Sequence, residues 1–256
     1  MPINRREFVT LVAGAAATSV LATSSLAMGR SSVPKIKAVA FDAFPIFDPR
    51  PVFALVEQLF PGHGTELSNA WRTRQFEYTW LRSMMGRYAD FWQVTEDSLV
   101  FAAHNLKLEL TPEKQARLMQ AYLELKTWPD VAPALKTLQN LNLRLGVLSN
   151  ITPKMLNASI ANSGLNGVFD QILSTDPVKV YKPDPRAYQI GVDAFGLHPE
   201  EILFVAFAGW DAAGAKSFGY STFWVNRMSL PAEELGVVPD AVGHDLADLT
   251  KWILGA

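Results

Sequence analysis

Five short runs along the chain are apolar at successive positions and rich in β-branched or aromatic residues. They are "IKAVAF" (36–41), "RLGVLSN" (144–150), "QIL" (171–173), "EILFVAFA" (201–208) and "TFWVN" (222–226). Continuous apolar character, rather than alternation, predicts strands covered on both faces. Helical segments separate the later runs. "TPKMLNASIANSG" (152–164) opens with Thr152 as a cap and Pro153 in the first turn, and Gly164 stops it. "PRAYQIGVDAFG" (185–196) and "DAAGAKSFG" (211–219) follow. The alternation predicts an α/β fold of Rossmann-like type, a mostly parallel sheet with helices on both faces.

The stretch 51–128 breaks this rhythm. "LSNAWRTRQFEYTWLRSMMGRY", "DFWQVTEDSLVFAAHNL" and "TPEKQARLMQAYLELK" carry helical periodicity and aromatic side chains with no strand pattern between them; Thr111 and Pro112 mark a helix start. We read 51–128 as a helical cap domain inserted between the first strand and the rest of a core domain made of 34–50 and 129–256. No internal repeats are evident.

Residues 1–27 read as a leader rather than as part of the fold. Arg5, Arg6 and Phe8 precede a mild Ala-, Ser- and Thr-rich apolar stretch from Leu11 to Ala27, too weakly hydrophobic for a transmembrane helix. The segment resembles a twin-arginine signal peptide with cleavage after Ala27. It implies a periplasmic protein without stable membrane association after cleavage; a membrane anchor or a tail is the alternative.

Charge and composition narrow the chemistry. The 256 residues carry 25 acidic and 23 basic side chains, net −2, so there is no basic field for nucleic acid. There is no cysteine, which excludes disulfides, a thiol nucleophile and thiolate-bound metal. The four histidines show no ligand spacing, and no metal site or cofactor is expected.

Polar groups gather where the apolar runs end. Asp42 follows the first run and is flanked by Phe44, Ile46 and Phe47, with Pro45 and Pro49 forbidding further strand. Ser149 and Asn150 end the second. Asp211 stands just beyond "FAGW", Lys182 lies in the Pro-punctuated "VYKPDP", and Tyr188 is six residues on. In an open α/β sheet, ligands bind at the carboxyl ends of the strands. Plainer readings exist for each: a turn cap for Asp42, a surface charge for Lys182, a buried core ring for Tyr188.

In their order, F-D-x-F, L-S-N, Y-K-P-D and W-D-A-x-G-A resemble the haloacid dehalogenase superfamily, and "AWRTRQFEYTWLRSMMGRYADF" is similar to the cap of its (S)-2-haloacid dehalogenases. The resemblance implies a hydrolase acting on carbon–halide bonds, metal-independent and without cofactor. Its substrate would be a small halogenated carboxylic acid, and its product a 2-hydroxy acid released from an aspartyl ester. It implies Asp42 as the nucleophile, a carboxylate that needs no base, and Arg72 as the cation that receives the halide. Ser149 and Asn150 would bind the substrate carboxylate. Lys182 would balance Asp42, with Tyr188 nearby, and Asp211 would orient the hydrolytic water. Phe44, Phe76, Phe91 and Trp210 would form an apolar wall that strips water from nucleophile and halide. The family analogy also implies a homodimer through cap helices.

Phosphatases of the superfamily place an acid two residues after the nucleophile and another four before the Asp211 equivalent; Phe44 and Phe207 stand there. A phosphatase and a carboxylate-binding protein without turnover are the alternatives. The chain also departs from the dehalogenases twice. Pro45 and Ile46 stand where a Gly-Thr pair is expected, in a loop one residue shorter. Ala206, Phe207, Ala208 and Gly209 replace the serine and asparagine that precede the W-D pair.

Overall fold

The computed structural model describes residues 36–255; the leader read at 1–27 lies outside the described residues. The chain enters the sheet as β1 (Ala38–Phe41), whose four residues are fully buried. A single helical turn, α1 (Ala43–Ile46), and a two-residue strand, β2 (Phe47–Asp48), follow. Next come α2 (Arg50–Leu59), α3 (Gly64–Met84), α4 (Phe91–Asn105) and α5 (Pro112–Ala121). β3 (Lys126–Thr127) then pairs antiparallel with β2, Phe47 opposite Thr127. The helical stretch therefore departs and returns at one point, which is why a long insertion disturbs the sheet little.

The rest of the chain is α6 (Val131–Asn140), β4 (Arg144–Ser149), α7 (Pro153–Asn162), β5 (Gln171–Ser174) and α8 (Pro185–Phe195). It closes with β6 (Ile202–Ala206), α9 (Gly209–Phe218), β7 (Ser221–Val225), β8 (Ala241–Gly243) and α10 (Leu246–Leu254). Six strands form one parallel sheet in the order β5-β4-β1-β6-β7-β8. The order reverses direction at β1, so the crevice of a doubly wound sheet opens beside its carboxyl end.

All five expected strands form, and the α/β class holds. The sheet has a sixth strand, β8, whose three residues are too few to show any periodicity. The two caps act as read: Thr152 Oγ1 accepts from the Met155 amide at 3.2 Å and Thr111 caps α5; Asp90 also caps α4.

Alternation along β1 divides two apolar layers. Val39 and Phe41 join a cluster with Val147, Val205, Leu135 and Leu249, and that cluster runs on into Val52, Leu67, Trp71, Phe91 and Leu118 of α2–α5. Ala38 and Ala40 face the other way, toward Phe204, Tyr188 and Tyr220. Their methyl side chains leave room for the rings, Phe204 and Tyr220 stacking at 5.7 Å. Each such buried large side chain contributes about 1.5–3 kcal/mol. The described residues fall in one compact unit, so α2–α5 share the core's apolar cluster rather than standing apart from it. None of the helices among the described residues is long and apolar enough to cross a membrane.

Candidate active site

The site is assembled by the chain leaving β1. The Asp42 amide still donates to Val205 O at 2.9 Å, as one more rung of the ladder. Its side chain then caps α1, accepting from the Phe44 amide at 3.3 Å. Pro45 and Ile46 sit within this turn, and the rest of the fold holds it: Trp128 Nε1 donates to Phe44 O at 2.9 Å, and Arg227, ion-paired with Asp130 at 2.8 Å, donates to Pro45 O at 2.9 Å. The shortened loop is thus fixed from outside.

Asp42 is 9% exposed and faces inward. Lys182 Nζ lies 3.2 Å from Asp42 Oδ1 and 3.2 Å from Asp211 Oδ2, with Lys182 1% and Asp211 2% exposed. Ser149 Oγ donates to Asp42 Oδ1 at 3.3 Å, so a hydroxyl from the end of β4 steadies the carboxylate. Asn150 Oδ1 accepts the Lys182 amide at 3.0 Å and the Thr175 hydroxyl at 3.4 Å, anchoring the lysine loop to the end of β4. One buried ammonium between two carboxylates leaves a surplus of negative charge in a dry place. Burial pushes the Asp211 carboxyl up to about 6; Lys182 opposes the rise and Asp42 adds to it.

Tyr188 differs from its sequence-based assignment as a substrate contact. It is fully buried behind Asp211, donating to Asp211 Oδ1 at 2.7 Å, and lies outside the walls of the crevice. Gly214 makes this possible: a Cβ there would sit 2.5 Å from the Tyr188 hydroxyl. Burial first, and the Asp211 charge second, raise the Tyr188 hydroxyl well above its ordinary value, keeping it a donor.

Asp42, Ser149, Asn150, Lys182 and Asp211 line one cavity of about 20 Å³, roofed by Phe44, Phe76, Phe91, Phe207, Ala208 and Trp210. Four of those aromatic rings, Phe44, Phe76, Phe207 and Trp210, also wall a larger chamber of about 320 Å³ that opens between α3 and the segment after β7. Arg72 lies in that outer chamber and is not in the wall of the inner one; it makes no ion pair among the described residues. Nine of the eleven expected side chains therefore line the inner cavity, Arg72 lines the outer one beyond the aromatic partition, and Tyr188 lines neither.

Two further residues belong to the site. Thr175 follows β5, and only its tertiary hydrogen bond to Asn150 reveals it. Phe207 had signalled itself by standing where an acid or a serine was expected. Among the described residues, no group of three His, Cys, Asp or Glu side chains could hold a metal ion.

Residues 33–219 match the haloacid dehalogenase-like hydrolase family. The chain is 44% identical to an (S)-2-haloacid dehalogenase of Pseudomonas sp. (strain YL), over 80% of this chain and 89% of that one. It is 40% identical to haloacetate dehalogenase H-2 of Moraxella sp. (strain B), over 80% and 92%. Among solved structures, an L-2-haloacid dehalogenase superposes with a TM-score of 0.85 at 44% identity, covering 86% of this chain and 99% of that one. The enzyme from Xanthobacter autotrophicus with chloropropionic acid covalently bound superposes at 0.79 with 38% identity, again over 86% and 99%. Agreement of sequence and backbone across nearly the full length of each relative places the chain in the haloacid dehalogenase-like hydrolase family, among the (S)-2-haloacid dehalogenases.

Proposed function

We propose that the protein hydrolyses (S)-2-haloalkanoic acids to 2-hydroxy acids of inverted configuration, without a metal or cofactor. One observation carries the reading: a buried aspartate carboxylate, held by Lys182 and Ser149 at the end of β1, faces a cavity roofed by aromatic rings. An Asp42 oxygen attacks C2 of the haloacid, the carbon–halogen bond breaks, and halide departs as an alkyl ester forms on Asp42. Water then attacks the ester carbonyl, giving its proton to Asp211. As the acyl–oxygen bond breaks, Asp211 passes that proton to the departing oxygen of the 2-hydroxy acid, and the Asp42 carboxyl loses its own proton to solvent, restoring the carboxylate. Ser149, Asn150 and Lys182 supply the donors for the substrate carboxylate, and the rings exclude competing water. Arg72, in the outer chamber, is the cation on the halide's route out. The covalent chloropropionic acid adduct in the Xanthobacter relative supports the ester step.

The test is halide release from (S)- and (R)-2-chloropropanoate, with and without chelator. Chloride from the S enantiomer alone, unaffected by chelator and lost in Asp42→Asn, is the expected result. Release from neither enantiomer sinks the reading.

The twin-arginine leader, export to the periplasm and a homodimer belong to the same proposal. Arg5, Arg6 and the mild apolar run to Ala27 support the leader. Cell fractionation of Arg5→Lys/Arg6→Lys checks export, with the double variant expected to remain in the cytoplasm. Light scattering at micromolar concentration checks the dimer.

A further inference from the structure

The inner cavity, about 20 Å³, has room for about one water molecule. It does not admit a 2-haloacid as it stands, whereas the outer chamber of about 320 Å³ does. Any acid that meets Asp42 must therefore pass the partition of Phe44, Phe76, Phe207 and Trp210 that the two cavities share.

The four rings are not held alike. Trp210 meets both Phe76 and Trp80 of α3 at 5.4 Å, each at a steep angle, and those two rings stack on each other at 6.2 Å. Phe44 and Phe207 contact each other at 6.0 Å. Both are half-buried, and both have pinned backbones: Trp128 Nε1 donates to Phe44 O at 2.9 Å, and Trp224 Nε1 to Phe207 O at 3.1 Å. With its backbone fixed, a half-buried ring can move by a rotamer change alone. Phe207 also stands directly after β6, beside Ala208, and both line the inner cavity with Asp211.

We propose that Phe207 is a gate and specificity-determining residue. Its ring turns aside to pass the haloacid from the outer chamber to Asp42, and its bulk then limits the group that C2 can carry. The inference rests on the dehalogenase reading of the site and adds to it a preference for the smallest acids, haloacetates over 2-halopropanoates over 2-halobutanoates.

The experiment compares wild type, Phe207→Ala and Phe207→Leu. The kcat/KM for chloride release is measured with chloroacetate, (S)-2-chloropropanoate and (S)-2-chlorobutanoate. In parallel, calorimetry measures binding of glycolate and 2-hydroxybutanoate. In wild type kcat/KM falls with each added carbon. In Phe207→Ala the butanoate-to-acetate ratio rises at least about tenfold, the discrimination one or two methylenes commonly carry in an apolar pocket. Phe207→Leu falls between and serves if the alanine variant does not fold. The binding ratio of 2-hydroxybutanoate to glycolate shifts the same way. Ratios unchanged within about twofold in both assays overturn the gate while leaving the dehalogenase reading intact. Halide release from none of the three acids overturns the dehalogenase reading, and the calorimetric ratio still decides the gate.

Discussion

The strand-end cluster and the aromatic partition face each other across a cavity of about 20 Å³, yet they are built on opposite principles. On the sheet side, Asp42, Ser149, Asn150, Lys182 and Asp211 are cross-linked by hydrogen bonds and ion pairs between 3.0 and 3.3 Å, each group fixed by another. On the other side, Phe44, Phe76, Phe207 and Trp210 have only shape and ring contacts at 5.4 to 6.0 Å. A charge in a dry site must be paired and oriented, because an unpaired one is costly there. An apolar ring has no such obligation and can shift. Under the proposed mechanism the polar side acts on the bond that breaks, and the apolar side on what reaches it.

The comparison can be broken most severely at Lys182. Lys182→Met leaves two buried carboxylates facing each other, and loss of one partner of a buried ion pair costs about 3–5 kcal/mol. Urea unfolding should show that loss, and halide release should fall by roughly 10²-fold or more. An unchanged unfolding midpoint would mean the lysine is not what holds the cluster.

Asp211→Asn separates the two half-reactions. Alkylation of Asp42 should persist while ester hydrolysis slows by roughly 10²-fold, so intact-mass measurement should find the ester accumulating. Because burial holds the Asp211 carboxyl above its ordinary range, hydrolysis in the wild type should also decline as falling pH protonates it. The stability effect runs the other way. A folded value above the ordinary 3.8 means the folded state holds this proton more tightly than the unfolded chain does. That contribution is complete below about 3.8 and lost as pH rises through about 6. Urea unfolding at intervals across that range should show the slope in wild type and its removal in Asp211→Asn.

Tyr188→Phe probes the support behind the cluster. A hydrogen bond to a charged group contributes about 1.5–3 kcal/mol, and stability should fall within that range. Because Tyr188 lies outside the cavity walls, KM for 2-chloropropanoate should be unchanged while kcat falls. A raised KM with kcat intact would make it a substrate contact instead. The smallest effect is expected at Phe76→Leu, which removes one ring partner from Trp210. About 0.5–1.5 kcal/mol of ring contact is lost, with KM raised and the alkylation step retained.

Most of the polar side was legible in the chain. Asp42, Ser149 and Asp211 each end or follow an apolar run, and parallel strands deliver their carboxyl ends to one edge, so position along the chain implied position in space. Lys182 joined them through the Pro-punctuated loop. The apolar side was not legible in the same way. Phe76 and Phe91 lie on helices where an aromatic residue reads as core, and nothing local says that one edge of the ring faces a cavity. Arg72 was placed correctly on its helix, but its separation from Asp42 depends on where α3 packs against the segment after β7. Tyr188 was assigned to the crevice by its spacing from Lys182, yet the packing of α8 against α9, allowed by Gly214, put it behind Asp211.

By itself the sequence determined the α/β alternation, the helical insertion and the carboxylate that ends the first strand. These follow from short-range rules: apolar period, capping residues and the chain's exit from a strand. Only the tertiary structure decided that Tyr188 sits behind Asp211 and that Ser149 donates to the Asp42 carboxylate. It also decided that aromatic rings split the space into two chambers. Those outcomes depend on distances between segments far apart in the chain, and packing rather than local propensity sets such distances.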